Sequence, residues 1–283
     1  MAIYGRTDLA CEVPGLEEFH RTGTEGVDIS KESVEGFPLL SVKITSPEGA
    51  ALLGKPEGSY YTLELDRGSA ARPENFARSA RAVAQLIRRS CRGKSMGRVL
   101  IAALGNPDIT PDAIGPLTAA NVLVTRHLKQ RQIQGFEHFS STVLCRTGVL
   151  GTTGIESAAQ IAALCRELRP ELVIAVDALA GSEAGRLCRS VQVCDSGISP
   201  GSGVGNDRQA LNEESLGVPV LAIGVPTVID AASLCQREGI ERMFVTPRDI
   251  DAQVRAAGKI LGYGINLALH PGLEIEDMEL LLA

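Results

Sequence analysis

The chain has 283 residues and carries 28 Lys and Arg against 34 Asp and Glu, a net charge of −6. This length can bury a large core as one α/β domain, whereas the acidic balance and the 4% aromatic content argue against direct nucleic-acid binding. The sequence has no apolar run of membrane-spanning length and no signal-peptide pattern, and its seven cysteines without a Cys-x-x-Cys pair fit a reducing compartment. We therefore expect a cytoplasmic protein that does not bind membranes.

The N-terminal part of the chain differs in pattern from the rest. Residues 1–36 are polar and rich in turn residues, and we expect a loosely structured leading and pro-segment region there. A single α/β domain is predicted over residues 37–283. Within it, residues 39–45 and 60–66 alternate apolar and polar side chains, which predicts two half-exposed strands. We expect these strands to form a small antiparallel addition to the main sheet near the N-terminus.

The remainder of the chain alternates between strand patterns and helix patterns. Strands are predicted at 98–104, 142–145, 171–179, 191–194 and 218–224. Helices are predicted at 73 to about 92, at 110 to about 129, at 155–168, from 227 onward and at 249 to about 269. This alternation is typical of an α/β fold, a three-layer sandwich in which helices cover both faces of a mainly parallel central sheet.

The central motif of the chain joins the apolar strand at 98–104 to a helix start at Thr110, Pro111 and Asp112. In open parallel sheets, ligands bind beyond the carboxyl ends of the strands, so Asp112 is placed where an α/β enzyme carries a working group. A carboxylate in the first turn is also favoured by the helix dipole without any catalytic role. From these residues alone, both interpretations of Asp112 stay open.

Asp177 is a second carboxylate at the end of an apolar strand pattern. If it approaches Asp112, repulsion between the like charges separates the proton affinities of the two carboxyl groups. One group would then hold a proton while the other activates a water molecule against a peptide carbonyl. The alternative is that Asp177 caps a helix that begins at Ala178.

A glycine-rich loop follows the strand at 191–194. It does not match a phosphate-binding loop, because no Gly-Lys-Ser/Thr follows. Ser199 lies in a Gly-x-Ser-x-Gly pattern, but the next residue, Pro200, has no N–H to donate to an oxyanion, so a serine hydrolase is weakly supported. We expect a mobile loop that lines the cleft. Its candidate substrate-binding residues are Gly201, Ser202, Gly203, Gly205 and Asn206.

Cysteine and metal chemistry have less support. Cys194 has no histidine near it in sequence, and a buried thiol at a strand end is its ordinary explanation. A metal site would need Asp112 and Asp177 together with a histidine, but neither His127 nor His270 shares a ligand spacing with them. We therefore expect no metal and no cofactor.

Seven segments, taken together, resemble the germination protease family of spore-forming bacteria. They are residues 6–10, 104–116, 124–128, 148–156, 177–179, 195–206 and 224–230. The similarity covers nearly the whole chain in one order and is more specific than any single motif. The resemblance implies that the two essential aspartates of the family are Asp112, in the Thr-Pro-Asp motif, and Asp177, in the Asp-Ala-Leu motif.

The resemblance also implies an activity. The family members are cytoplasmic endopeptidases of the spore core that degrade small acid-soluble spore proteins during germination. They are made as zymogens that trim their own N-terminus, and they assemble as homotetramers. The implied fold is the phosphorylase/hydrolase-like sandwich of the hydrogenase-maturation peptidases. Residues 7–12 look like the site that these proteases cut in their substrates, and our hypothesis is self-processing between Asp8 and Leu9.

Two alternatives from other classes remain. The first is a non-catalytic binding or regulatory protein on the same fold, in which the aspartates only cap helices. The second is a metal-dependent peptidase of the maturation type, because carboxylates at similar places contact a metal in those enzymes. Cleavage of a spore protein by the purified chain separates the binding protein from a peptidase.

Overall fold

A computed structural model describes residues 7–66, 68, 69, 71–205, 208–235 and 243–282. Its strands are β1 (Val27–Val34), β2 (Phe37–Ile44), β3 (Gly58–Glu64), β4 (Arg98–Leu104), β5 (Ser141–Gly148), β6 (Leu172–Gly181), β7 (Ser190–Cys194), β8 (Val220–Asp230) and β9 (Phe244–Val245). Its helices are α1 (Leu16–Thr22), α2 (Pro47–Leu53), α3 (Pro73–Ser90), α4 (Ile114–Ala119), α5 (Arg126–Gln130), α6 (Leu150–Thr153), α7 (Ser157–Leu168), α8 (Glu213–Leu216), α9 (Ala231–Cys235), α10 (Ile250–Leu269) and α11 (Ile275–Leu281). Short 3₁₀ turns lie at Ala10–Glu12, Thr110–Asp112, Ala184–Arg186 and Ser202–Val204.

The strands form one sheet in the order β1-β2-β3-β7-β8-β6-β4-β5, with β9 paired to β8. The strands β8, β6, β4 and β5 run parallel to one another. The strands β1, β2, β3 and β7 form an antiparallel wing that joins β8. The predicted α/β fold, with a parallel centre and an antiparallel addition near the N-terminus, is confirmed.

The antiparallel wing is larger than the sequence indicates, because β1 lies within the segment for which we expected loose structure. Only the ends of β1, Val27 and Val34, are buried, and the side chains between them are largely exposed. This pattern resembles a polar loop in the sequence. Pairing with β2 along the whole strand nevertheless satisfies the backbone groups that point toward β2 and makes β1 an edge strand of the sheet.

Helices cover both faces of the sheet, as a three-layer sandwich requires. Successive side chains of a strand point to opposite faces, so Val99 and Ile101 pack in the core formed with α3, α4 and α10. Leu100 and Ala102 pack on the other face, in a core that includes Ile161 of α7. Among the described residues, no helix is both long and apolar enough to cross a membrane.

The helix expected from residue 110 to about 129 is broken into a 3₁₀ turn, α4 and α5. The backbone N–H of Leu123 donates to Oδ1 of Asn266 at 2.8 Å, and that of Thr125 donates to the carbonyl of Thr142 at 3.2 Å. Because these groups bond to distant parts of the chain instead of the carbonyl four residues earlier, the helix cannot continue through them.

The strand β6 extends two residues and β8 six residues beyond their predicted ends. The extensions pair 180–181 with 228–229 beyond a bulge in the register. The predicted helix start at 227 is therefore wrong, since these residues still belong to a strand. The helix α9 begins only after Asp230, whose Oδ1 accepts a hydrogen bond from the N–H of Ala232 at 2.8 Å.

Candidate active site

Asp177 lies inside β6, where it is paired with Gly224 of β8. Its side chain is only 4% exposed, and its Oδ1 accepts a hydrogen bond from the N–H of Ala178 at 2.9 Å. The apolar pattern ends at this aspartate, but the strand continues to Gly181, two residues beyond the predicted range of 171–179. The helix-capping alternative for Asp177 is therefore wrong, and its burial needs another explanation.

Asp112 is the last residue of the 3₁₀ turn that follows β4. The N–H of Asn106 donates both to its Oδ2, at 2.8 Å, and to its backbone carbonyl, at 3.1 Å. The chain folds back this closely because Gly105 has a φ of +100° and no Cβ to overlap the Asp112 carbonyl. The hydroxyl of Thr227 donates to the carbonyl of Pro111 at 2.7 Å and ties the turn to β8. The carboxylate is thus held by the preceding loop and not by α4.

Asp112 lies close enough to Asp177 for its charge to affect the ionisation of Asp177. Burial raises the pKa of Asp177 well above its ordinary value of 3.8, and the negative charge of Asp112 raises it further. Burial also raises the pKa of Asp112 above its ordinary value, and the N–H of Asn106 and the charge of Arg208 offset only part of this effect. The more deeply buried Asp177 is therefore the group of the pair that retains a proton.

The segment around Asp8 crosses this site. The N–H of Asp8 donates to the carbonyl of Ala180 at 2.9 Å, and the N–H of Ala180 donates to Oδ2 of Asp8 at 2.9 Å. The hydroxyl of Ser202 donates to Oδ1 of Asp8 at 3.0 Å. The charge of Asp8 also raises the pKa of Asp177. The structure therefore brings Asp8 and Asp177 to one cleft, with Asp112 near enough for its charge to act on Asp177.

Leu9, on the other side of the predicted cleavage point, is completely buried. It packs in a small apolar cluster with Cys11 and Leu179, against which Leu40 and Ile198 also pack. Leu179 lies two residues beyond Asp177 on the same strand, so its side chain points to the same face of the sheet. An apolar pocket thus holds the residue that follows Asp8.

Glu12 fastens the segment beyond Leu9. This buried carboxylate accepts hydrogen bonds from the hydroxyl of Thr7 at 2.5 Å, from the N–H of Ser182 at 2.6 Å and from the N–H of Glu183 at 3.2 Å. Its Oε1 also lies 3.6 Å from Nε of Arg186. These partners satisfy the buried charge and fix residues on both sides of Asp8.

The glycine-rich loop meets this segment through two of its predicted residues. Ser202 donates to Asp8, and a Cβ on Gly203 would overlap Oδ2 of Asp8 and lie 2.7 Å from Cβ of Ala180. Gly201 lines the same cavity, which measures about 290 Å³. Gly205 ends the 3₁₀ turn with a φ of +78°. Asn206, the last candidate of the loop, lies outside the described residues.

Three further side chains, not among the residues predicted from the sequence, act at this site. Nζ of Lys55 donates to the carbonyl of Thr7 at 2.8 Å, and burial lowers the pKa of this amine. Arg208 lowers the pKa of both aspartates. Gln192 contacts the segment through its side-chain amide. A polar residue within an otherwise apolar strand was a visible signal for Gln192, whereas Lys55 lies in a predicted turn and carried no such signal.

Other residues considered from the sequence do not take part in the same arrangement. Cys194 lines the cavity, but burial raises its pKa to about 11, so it is a thiol and not a reactive thiolate at neutral pH. His270 stacks on Phe139 with ring centroids 4.7 Å apart. Within the described ranges, no three His, Cys, Asp or Glu side chains are grouped as metal ligands.

Comparison with known proteins decides the family. A model of the germination protease family matches residues 7–243, which is most of the chain. The chain belongs to the germination protease family. The germination protease of Caldanaerobacter subterraneus subsp. tengcongensis is 36% identical over 98% of this chain and 98% of its own length. That of Clostridium tetani is 33% identical over 96% of this chain and 98% of its own.

A germination protease from Bacillus cytotoxicus is 40% identical over 81% of this chain and 64% of its own length. The part of this chain that the family model matches, residues 7–243, contains the segment from Asp8 to Glu12, both aspartates and the described part of the glycine-rich loop. Membership in the germination protease family makes the chain a peptidase of spore germination.

Proposed function

We propose that this peptidase degrades small acid-soluble spore proteins and cuts peptide bonds with the carboxyl pair of Asp112 and Asp177. The observation that carries the proposal is the position of Asp8, which lines the same cavity as Asp177 and is hydrogen-bonded to Ala180 of the same strand. The pKa of Asp177 is raised by burial and by the charge of Asp112. A pair that shares one proton can supply both the base and the acid that amide hydrolysis needs.

In the proposed reaction, Asp112 is the base and Asp177 is the acid. Asp112 accepts a proton from a water molecule while the water oxygen forms a bond to the peptide carbonyl carbon, and the carbonyl electron pair moves to its oxygen. The pair then returns, the C–N bond breaks, and the leaving nitrogen takes the proton of Asp177. The assignment follows from the N–H of Asn106, which favours the ionised form of Asp112, and from the deeper burial of Asp177.

We propose further that the chain is a zymogen that cuts its own Asp8–Leu9 bond. The hydrogen bonds from Ala180 and Ser202 to the Asp8 carboxylate form a subsite for an acidic side chain before the cut bond. The apolar cluster around Leu9 forms a subsite for the residue after it. The same two subsites would select acidic-then-apolar sites in spore proteins. The resemblance also supports a homotetramer that works in the cytoplasm of the spore core.

The decisive experiment incubates the purified chain with a small acid-soluble spore protein and follows the products on a gel. We expect cleavage by the natural chain and a rate about 10²- to 10⁴-fold lower for Asp112→Asn and Asp177→Asn. Full activity in both variants would reject the aspartate pair. The absence of any cleavage by the natural chain would instead support the binding-protein alternative. Loss of activity in a metal chelator would support the metal-dependent alternative.

A further inference from the structure

Gln192, Gly224 and Asp177 lie side by side in one row across the sheet. Gln192 of β7 is paired with Gly224 of β8, which is itself paired with Asp177 of β6. Residues that are paired in this way project from the same face of a sheet. The side chains of Gln192 and Asp177 therefore project from the same face, and Gly224, which has no side chain, lies between them. The segment that contains Asp8 lies on this face.

The side-chain amide of Gln192 holds this segment on both sides of Leu9. Its Nε2 donates to the carbonyl oxygen of Asp8 at 3.1 Å, and its Oε1 accepts from the N–H of Ala10 at 2.7 Å. The Asp8 carbonyl belongs to the bond for which we propose self-processing. The Ala10 N–H belongs to the next peptide unit. One side chain therefore fixes the position and orientation of the backbone on both sides of Leu9.

The surroundings of Gln192 give no structural reason for an amide at this position. Its side chain is only 5% exposed, and its strand neighbours Val191 and Val193 point into the apolar core on the opposite face. Burying an amide without hydrogen-bond partners is unfavourable, so an amide at this position needs partners. In the described part of the chain, both hydrogen bonds of this amide go to residues 8–10. Binding a peptide backbone accounts for a polar side chain in this strand.

We propose that Gln192 is the carbonyl-binding residue of the self-processing reaction, an inference that rests on the proposed function. As the water oxygen bonds to the carbonyl carbon of Asp8, the electron pair of the C=O bond moves to the oxygen that Nε2 already contacts. The donor stabilises this negative charge until the pair returns and the bond to the Leu9 nitrogen breaks. Removing a donor of this kind typically lowers the rate by about 10²- to 10³-fold.

The test follows the N-terminal processing of freshly made full-length chain by mass spectrometry. Gln192→Met removes both hydrogen-bonding groups at nearly constant volume. Gln192→Glu keeps an acceptor for the Ala10 N–H but replaces the donor to Asp8. We expect both variants to process at least about 10²-fold more slowly than the natural chain. In Gln192→Glu, hydrogen exchange at the Ala10 amide is expected to stay slow, because the N-terminal segment remains docked. If the slower processing came only from loss of docking, this exchange would be fast.

The matched control is Gln160→Met on α7. The Nε2 of Gln160 donates to the backbone carbonyls of Thr147 and Ile155 at 3.1 and 3.3 Å, so this variant also removes a side-chain amide that bonds to backbone. It is expected to process at the natural rate. The inference would be overturned if both Gln192 variants processed at the natural rate. It would also be overturned if their processing rates fell only in proportion to the loss of hydrogen-exchange protection at the Ala10 amide.

A measurement on the unsubstituted protein keeps the inference testable if the variants fail to fold. The side-chain ¹⁵N–¹H resonances of Gln192 are expected to shift when the Asp8–Leu9 bond is cut. Cleavage converts the Asp8 carbonyl, which accepts the hydrogen bond of this amide, into a charged carboxylate or releases it from the site. Resonances that do not move while the bond is cut would contradict the inference. Processing of the natural chain at a different bond would reject the proposed self-processing itself, which is a distinguishable failure.

Discussion

Asp8 and Ala180 are joined by two hydrogen bonds, although 172 positions separate them in the chain. One bond runs from the N–H of Asp8 to the carbonyl of Ala180, and the other returns from the N–H of Ala180 to the Asp8 carboxylate. The first bond fixes the backbone of the N-terminal segment along β6, and the second binds the acidic side chain. Because Ala180 lies three residues beyond Asp177 on β6, this pairing holds Asp8 against the cavity that Asp177 also lines.

The hydroxyl of Ser202 is expected to contribute to the recognition of Asp8. In the variant Ser202→Ala, the Asp8 carboxylate loses one donor but keeps the N–H of Ala180. Since the Ser202 side chain is exposed, we expect a loss of about 1 kcal/mol, or about a fivefold slower self-processing. The measurement is the rate of appearance of the new N-terminus. The control Ser199→Ala removes a hydroxyl from the same loop and is expected to keep the natural rate, and its inactivity would revive the serine-hydrolase alternative.

Gly203 is expected to be intolerant of a side chain for a steric reason. In Gly203→Ala, the new Cβ would overlap the Asp8 carboxylate and crowd Ala180, so either the loop or the segment must shift. We expect self-processing to slow by at least about tenfold, which corresponds to 1.4 kcal/mol. A Cβ at Gly185 meets nothing within 4 Å, so Gly185→Ala serves as the control. Equal processing rates in the two variants would contradict the close approach of the loop to Asp8.

The buried Asp177 is expected to lower the stability of the protein at neutral pH. Because its pKa in the folded protein lies above the ordinary value of 3.8, the folded chain binds a proton that the unfolded chain has already lost. Its contribution therefore becomes less favourable as the pH rises above 3.8. We expect Asp177→Asn to raise the free energy of unfolding at neutral pH. The difference from the natural chain is expected to vanish below pH 3.8, where the carboxyl group is protonated in both the folded and the unfolded chain. Urea unfolding across this pH range measures it.

A suitable control is Asp108→Asn, which neutralises an exposed aspartate close to Asp112 in the chain. It is expected to leave the unfolding curve nearly unchanged at every pH. An Asp177→Asn variant that is less stable than the natural chain at neutral pH would show that the Asp177 carboxylate is stabilised in the fold, against the direction of its pKa.

His270 is expected to make the protein sensitive to acid. Burial lowers the pKa of His270 from 6.5 to about 4, so the unfolded chain takes up a proton in this range before the folded chain does. Stability therefore falls as the pH drops from 6.5 to 4, by up to about 3 kcal/mol. We expect His270→Phe to flatten this part of the pH dependence of unfolding. Replacement of the exposed His138 by Asn should leave it unchanged, and an equal effect of both variants would contradict the assignment.

Local sequence patterns predicted much of the fold and part of the site. The periodicity of α3 and α10 and the apolar runs of β4 and β6 identified those elements, because each pattern is set by neighbours along the chain. The same patterns failed where distant partners took the backbone hydrogen bonds. Leu123 bonds to Asn266 and interrupts a helix, and the pairing of β6 with β8 carries both strands beyond their predicted ends.

What the sequence alone determined is the α/β class, the positions of Asp112 and Asp177 after runs of apolar residues, and the acidic-then-apolar pair Asp8–Leu9. These features depend on residue type and short-range spacing. Only the tertiary structure decided that Asp177 lies within its strand, that Gln192 shares its row, and that the N-terminal segment returns across both. Strand register and the docking of a remote segment are set by packing between parts of the chain that are far apart, and local composition does not encode such contacts.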